Sequence, residues 1–194
     1  ATAVERMQKD GFDVPEKVSK MLKSGHMSFY KTENGTVFYY DFESESYKEQ
    51  MVSENIISLA ALKAKGKVVK TSESASLIDL DDGVFCLEFH TKLNSLNQQI
   101  VDAIHEAREF VDKEGLGLVI GNQAGGMPGA FSAGANLADV SAAAKDNRYD
   151  DIDLMVKNLQ YGLQDLRYAA FPVVAAPYGL TLGGGCEVCL AADK

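Results

Sequence analysis

Hydrophobic and polar positions follow two different regimes along the chain. From residue 76 onward they are strongly periodic. Leu77, Ile78 and Leu80, and then residues 84–89, read as two apolar strands joined across Asp81-Asp82-Gly83. Ile100, Val101, Ile104, Ala107, Phe110 and Val111 recur at helical spacing, with Asn94 or Ser95 available as the cap. Residues 116–120 are a short apolar run between glycines, which suits a buried strand. A loop rich in Gly and Ala spans 121–133. Ile152, Met155, Leu159, Leu163 and Leu166 then mark one face of a second helix over 151–170. Pro172 stops it, residues 173–176 form another buried strand, and a glycine-rich stretch occupies 179–187. Strand, strand, helix, strand, helix, strand, glycine turn is a repeated β-β-α plan, which places the fold in the α/β class.

Residues 1–70 are less regular. Pro15 suits a first helical position, Val18, Met21 and Leu22 share a face, and Gly25 ends that helix, predicted over 15–23. Aromatic-rich arms on either side of Asn34-Gly35 predict a hairpin over 29–42. A polar segment, 43–50, precedes a helix predicted over 54–64. The Lys-, Ser- and Gly-rich stretch 63–76 reads as a linker. So few large aliphatics make a marginal core, so this portion reads as a small α+β tail of a larger domain.

Composition narrows the function classes. The 194 residues carry a formal net charge of −9, which argues against nucleic acid or an anionic membrane as partner. No apolar run approaches the ~20 residues of a membrane helix, and the N-terminal residues lack the basic-then-apolar order of a signal peptide. Cys86, Cys186 and Cys189 cannot form a full disulfide framework. The Cys186/Cys189 C-x-x-C has no second pair and reads as small buried hydrophobes rather than a metal or redox site. A reducing cytoplasm fits this composition, and no metal is expected.

Two segments carry candidate chemistry, 131–137 (FSAGANL) and 182–187 (LGGGCE). Each follows a predicted strand and puts small residues where backbone approaches a ligand closely. Amides at a strand-to-helix turn lack intrahelical partners, and two aimed at one point make an oxyanion hole. An acyl thioester reacting through its enolate needs such a hole. Taken singly, Gly183-Gly184-Gly185 also serves tight packing, and Glu187 serves as a first-turn carboxylate favoured by the helix dipole. The pairing of the two segments favours the chemical reading.

These two segments resemble the signatures of the crotonase (enoyl-CoA hydratase/isomerase) superfamily. The likeness runs from about Ser76 to Lys194, and Lys92-Leu93-Asn94-Ser95-Leu96 is similar to the family's early x-x-N-A-L element. Residues 1–70, through Gly11-Phe12-Asp13-Val14-Pro15, Met21-Leu22 and residues 25–30 (GHMSFY), resemble the end of a 3-hydroxyacyl-CoA dehydrogenase. The combination is similar to bacterial β-oxidation fusion proteins, with residues 71–194 as the N-terminal part of the hydratase domain. The resemblance implies that the Ala135 and Gly184 N–H groups form the oxyanion hole and that Glu187 handles the water added at C3. It puts Ala133, Asn136 and Leu137 beside the pantetheine arm, Asn94 and Gly183 at the acyl-CoA, and Lys92 near the CoA phosphates. A solvated loop lysine is the plain alternative for Lys92, and Asn136 stands where many relatives have Asp.

The family's second glutamate, which exchanges the proton at C2, lies roughly twenty residues beyond the first, and addition of water needs both carboxylates. Lys194 is seven residues after Glu187. The expectation is therefore the front part of a longer domain, with little or no hydratase activity of its own. The expected reaction of the whole is hydration of trans-2-enoyl-CoA. An enoyl-CoA isomerase or another enolate-stabilising enzyme, and a non-catalytic acyl-CoA-binding piece, are the alternatives. The hydratase part needs no cofactor beyond the CoA thioester substrate. NAD belongs to the dehydrogenase half alone, since no G-x-G-x-x-G follows a strand. A homo-oligomer is possible. His105 reads as exposed mid-helix, His90 as facing the site without a partner, and His26 as a cation beside a helix end.

Overall fold

A computed structural model describes residues 2–33, 36–51, 56–123 and 129–194. The chain divides into two compact units, residues 1–65 and 66–194. The first contains α1 (Thr2–Lys9), α2 (Glu16–Lys23), β1 (Tyr30–Glu33), β2 (Thr36–Asp41), β3 (Ser46–Glu49) and α3 (Leu59–Ala64). Pro15 is the N-cap of α2, one position before its expected place. Gly25, at φ +84°, ends the helix. Its N–H donates to the Leu22 carbonyl and that of His26 to the Met21 carbonyl, both at 3.1 Å, closing the last turn.

β1, β2 and β3 form an antiparallel sheet in that order. The hairpin pairs Tyr30 with Tyr39 and Glu33 with Thr36, and its Asn34-Gly35 turn lies outside the described residues. β3 occupies part of the segment read as irregular and polar. Pairing with β2 from Phe38↔Glu49 to Asp41↔Ser46 outweighs its weak apolar pattern, and Tyr47 packs edge-on to Tyr40 at 5.6 Å. Asp41 fixes the β2–β3 turn by accepting from Ser44 Oγ at 2.6 Å while pairing with Lys48. Lys48 first, then Ser44, hold its carboxyl far below the usual carboxylate range. α3 starts at Leu59 because Ser58 caps it, accepting from the Ala61 N–H at 3.2 Å, five residues later than predicted; Glu54 lies outside the described residues.

The second unit contains β4 (Val68–Thr71), β5 (Ala75–Asp79), β6 (Val84–Phe89), a 3-10 turn (Lys92–Asn94), α4 (Gln98–Glu114), β7 (Gly117–Gly121) and β8 (Ala130–Ser132). Then follow α5 (Leu137–Lys145), α6 (Tyr149–Arg167), β9 (Val173–Ala176), β10 (Leu180–Thr181) and α7 (Gly184–Ala191). One sheet has the order β4-β5-β6-β7-β9. Its β4/β5 and β5/β6 pairs are antiparallel; β6/β7 and β7/β9 are parallel. β8 and β10 form a separate parallel pair. The β-β-α plan is thus repeated three times, and in the second and third repeats the leading strand joins the large sheet and the following strand the small one. Ile100, Ile104 and Val111 of α4 pack with Leu87, Leu118, Ile120, Phe131, Leu166 and Val188, all 1% exposed or less.

Several expectations need correction. The stretch read as a linker holds the edge strand β4, which includes Lys70, and the start of β5, with Ser74 and Ser76 buried. Asn97, not Asn94 or Ser95, caps α4, its Oδ1 accepting from the Ile100 N–H at 3.0 Å. Leu116 is 71% exposed and precedes β7. β8 lies inside the supposed Gly/Ala loop, and α5 has too little apolar periodicity to be read in advance.

Candidate active site

Parallel pairing of β8 with β10, Leu180↔Ala130 and Thr181↔Ser132, makes both glycine-bearing turns leave the same end of the small sheet. The turn after β8 is almost fully committed to internal hydrogen bonds. The Ala133 N–H donates to the Leu93 carbonyl (3.0 Å), that of Gly134 to Ser132 Oγ (3.1 Å) and that of Asn136 to the Leu96 carbonyl (2.9 Å). The Ala135 N–H has no acceptor among the described residues. In the turn after β10, Leu182 donates to the Ser132 carbonyl, Gly185 to Leu182, and Cys186 and Glu187 both to Gly183. The N–H of Gly184, the first residue of α7, has no acceptor among the described residues.

Planar trans peptides set the direction of these two amides. The Gly134 carbonyl accepts from Leu96 at 2.8 Å, so the Ala135 N–H of the same peptide points away from Leu96. The Gly183 carbonyl faces into α7, so the Gly184 N–H points out of the helix start. The turns are also in close contact. A β-carbon added to Gly134 would lie 2.7 Å from the Leu182 oxygen and 3.1 Å from the Gly184 nitrogen; one added to Gly184 would lie 3.8 Å from the Ala135 nitrogen. Gly134 (φ +87°) and Gly183 (φ +48°) adopt conformations that side chains disfavour.

Glu187 lies in the first turn of α7, exposed, with no partner for its carboxylate among the described residues. The other predicted residues fall into two groups. Ala133 and Gly183 lie on the turns, Leu137 opens α5 at 75% exposure, and Lys92 is exposed on the 3-10 turn. Asn94 and Asn136 are spent inside the fold. Asn94 is 5% exposed and donates from Nδ2 to the Ala130 carbonyl at 2.8 Å. Asn136 caps α5, accepting from the Ala138 N–H and donating to Asp139 at 2.7 Å.

His90, His105 and Cys186 depart from expectation. His90 lies 3.6 Å from Glu88 Oε2, and His105 is half-buried with Nδ1 3.5 Å from Asp165. His26 packs against Tyr40 and Tyr47. Cys186 is exposed rather than buried; Cys189 is half-buried, and burial followed by the neighbouring Cys186 pushes its thiol pKa up. Among the described residues no His, Cys, Asp and Glu group of three or more is placed to hold a metal, and no helix is long and apolar enough to cross a membrane.

Sequence reasoning passed over Asn122 and Ser132. Asn122 is 5% exposed, accepts from the Phe89 N–H at 2.7 Å and donates to the Phe131 carbonyl at 2.5 Å, joining β6 to β8. A polar side chain directly after an apolar strand was the available signal. Ser132 is fully buried beside both turns.

The family model described as enoyl-CoA hydratase/isomerase matches residues 79–194, more than half of the chain. A Bacillus subtilis (strain 168) protein named probable 3-hydroxyacyl-CoA dehydrogenase is 40% identical over 99% of this chain, which spans 24% of that protein. A Rickettsia felis putative fatty acid oxidation complex trifunctional enzyme is 30% identical over 65% of the chain and 17% of its own length. Among solved structures, an enoyl-CoA hydratase from Bacillus anthracis has a TM-score of 0.54 at 22% identity, covering 62% of this chain and 46% of that one. One from Geobacillus kaustophilus has 0.56 at 20%, covering 64% and 45%. The chain belongs to the enoyl-CoA hydratase/isomerase family, the crotonase superfamily.

Proposed function

We propose that residues 66–194 hold the thioester end of a trans-2-enoyl-CoA for the addition of water. The Ala135 and Gly184 N–H groups donate to the thioester carbonyl oxygen. That oxygen gains negative charge as water adds at C3, so fixed donors lower the barrier more than they tighten substrate binding. Glu187 positions the attacking water and takes its proton. Ala133, Leu137 and Gly183 line the path of the acyl-CoA, Lys92 meets its phosphates, and Asn94 and Asn136 keep the surrounding backbone in place. The observation that carries this reading is the pair of unspent amides on adjoining turns whose neighbouring amides are almost all engaged.

The longer protein serves fatty acid oxidation in the cytoplasm. In it, residues 1–65 complete a 3-hydroxyacyl-CoA dehydrogenase that uses NAD to oxidise the hydration product, and the hydratase part assembles as a homo-oligomer. The 40% identity to a protein with a dehydrogenase name supports this. Glu187→Gln in the longer protein tests the mechanism. Hydration followed by loss of enoyl absorbance falls about 10²–10⁴-fold, while calorimetric affinity for acetoacetyl-CoA stays near that of the unaltered protein. Unchanged turnover removes Glu187 from the mechanism.

A further inference from the structure

Ser132 touches both glycine-bearing turns and the 92–95 turn beside them. Its hydroxyl donates to the Asn94 carbonyl at 2.7 Å and accepts from the Gly134 N–H at 3.1 Å. Its carbonyl accepts from the Leu182 N–H at 2.9 Å. Its Cβ and carbonyl oxygen lie 2.7 and 2.8 Å from where a β-carbon on Gly185 would sit, so only a glycine there lets α7 come this close. A hydroxyl both donates and accepts, so Ser132 joins the 92–95 turn to the first glycine turn through one atom.

The placement matters because Gly134 is the hinge of that turn. The peptide after it, which bears the Ala135 N–H, is held by the Leu96 bond to the Gly134 carbonyl; the peptide before it is held by Ser132 Oγ. Glycine at φ +87° imposes little torsional restraint of its own. Removing the hydroxyl therefore frees one side of the hinge and lets the Ala135 N–H wander from the line it shares with Gly184.

We infer that Ser132 is a positioning residue that aims the Ala135 amide at the substrate oxygen. It touches no substrate itself. This rests on the oxyanion reading above.

The test uses the 194-residue chain and the para-dimethylaminocinnamoyl thioester of coenzyme A, whose absorption moves to the red as its carbonyl accepts stronger hydrogen bonds. Ser132→Ala keeps its Kd within about threefold, because ground-state contacts persist. It loses about half or more of the bound probe's red shift, because one of two donors is misdirected. Ser132→Cys, which restores a weak donor and acceptor, recovers part of the shift and serves alone if the alanine variant does not fold. A full red shift in either folded variant overturns the role of Ser132 and leaves the oxyanion reading standing. A probe that binds the unaltered chain without any red shift defeats the oxyanion reading itself.

Discussion

Each glycine-bearing turn leaves an amide free for a substrate oxygen, Ala135 in the first and Gly184, preceded by an equally unpaired Gly183, in the second, by different physical routes. In the turn after β8 the free amide is left by subtraction. Leu93, Ser132 and Leu96 accept from Ala133, Gly134 and Asn136, and Ala135 is the amide without an acceptor. In the turn after β10 helix geometry does the same work, because the first amides of any α-helix have no carbonyl one turn back. The first site therefore depends on long-range bonds from the 92–96 segment, and the second on a local backbone conformation. Damage should spread differently from each.

Gly134→Ala produces the largest effect. The new methyl would combine a φ of +87° with contacts of 2.7 Å to the Leu182 oxygen and 3.1 Å to the Gly184 nitrogen, so the turns must separate. A stability loss of about 2–4 kcal/mol in urea melts is expected, together with loss of acyl-CoA binding. Wild-type stability would mean that the turns are not locked together. Gly183→Ala is milder. It shares the positive φ, but its nearest atom is the Gly134 Cα at 3.9 Å, so backbone strain acts alone. A loss of about 1–2 kcal/mol with binding retained separates the two turns; a loss equal to that of Gly134→Ala would erase the distinction.

Asp79→Asn gives the smallest change, since neither turn uses this residue. The Asp81 backbone N–H first, and Lys67 second, lower the Asp79 carboxyl pKa. A lowered folded-state pKa stabilises the fold above the unfolded value of about 3.9, and that gain fades as pH falls through the folded value. The variant is therefore slightly less stable than the parent at pH 7, and the gap closes on titration below about pH 4. A gap that widens on acidification would contradict this assignment.

Legibility in the sequence follows the same division. The second turn was readable because its cause is local: three glycines after an apolar strand announce a close helix start. The large sheet was readable where apolar periodicity was strong, as in β6, α4 and β9. The supports of the first turn were hidden because their cause is distant. Asn94, Asn122 and Ser132 look like loop polar residues until the fold brings Ala130 to Asn94, Phe89 to Asn122 and the Asn94 carbonyl to Ser132. The resemblance puts Asn94 at the acyl-CoA, and in the fold its Nδ2 donates to the Ala130 carbonyl. β3 and β4 were missed for a related reason: polar edge strands owe their structure to the neighbour they pair with.

The central claim concerns two amides, and NMR observes them individually. Acetoacetyl-CoA titrated into the ¹⁵N-labelled chain is expected to move the Ala135 and Gly184 amide protons downfield together with one saturation curve. The internally bonded amides of Asn136 and Gly185 should shift far less. Saturable binding that leaves both the Ala135 and Gly184 resonances in place would contradict the account.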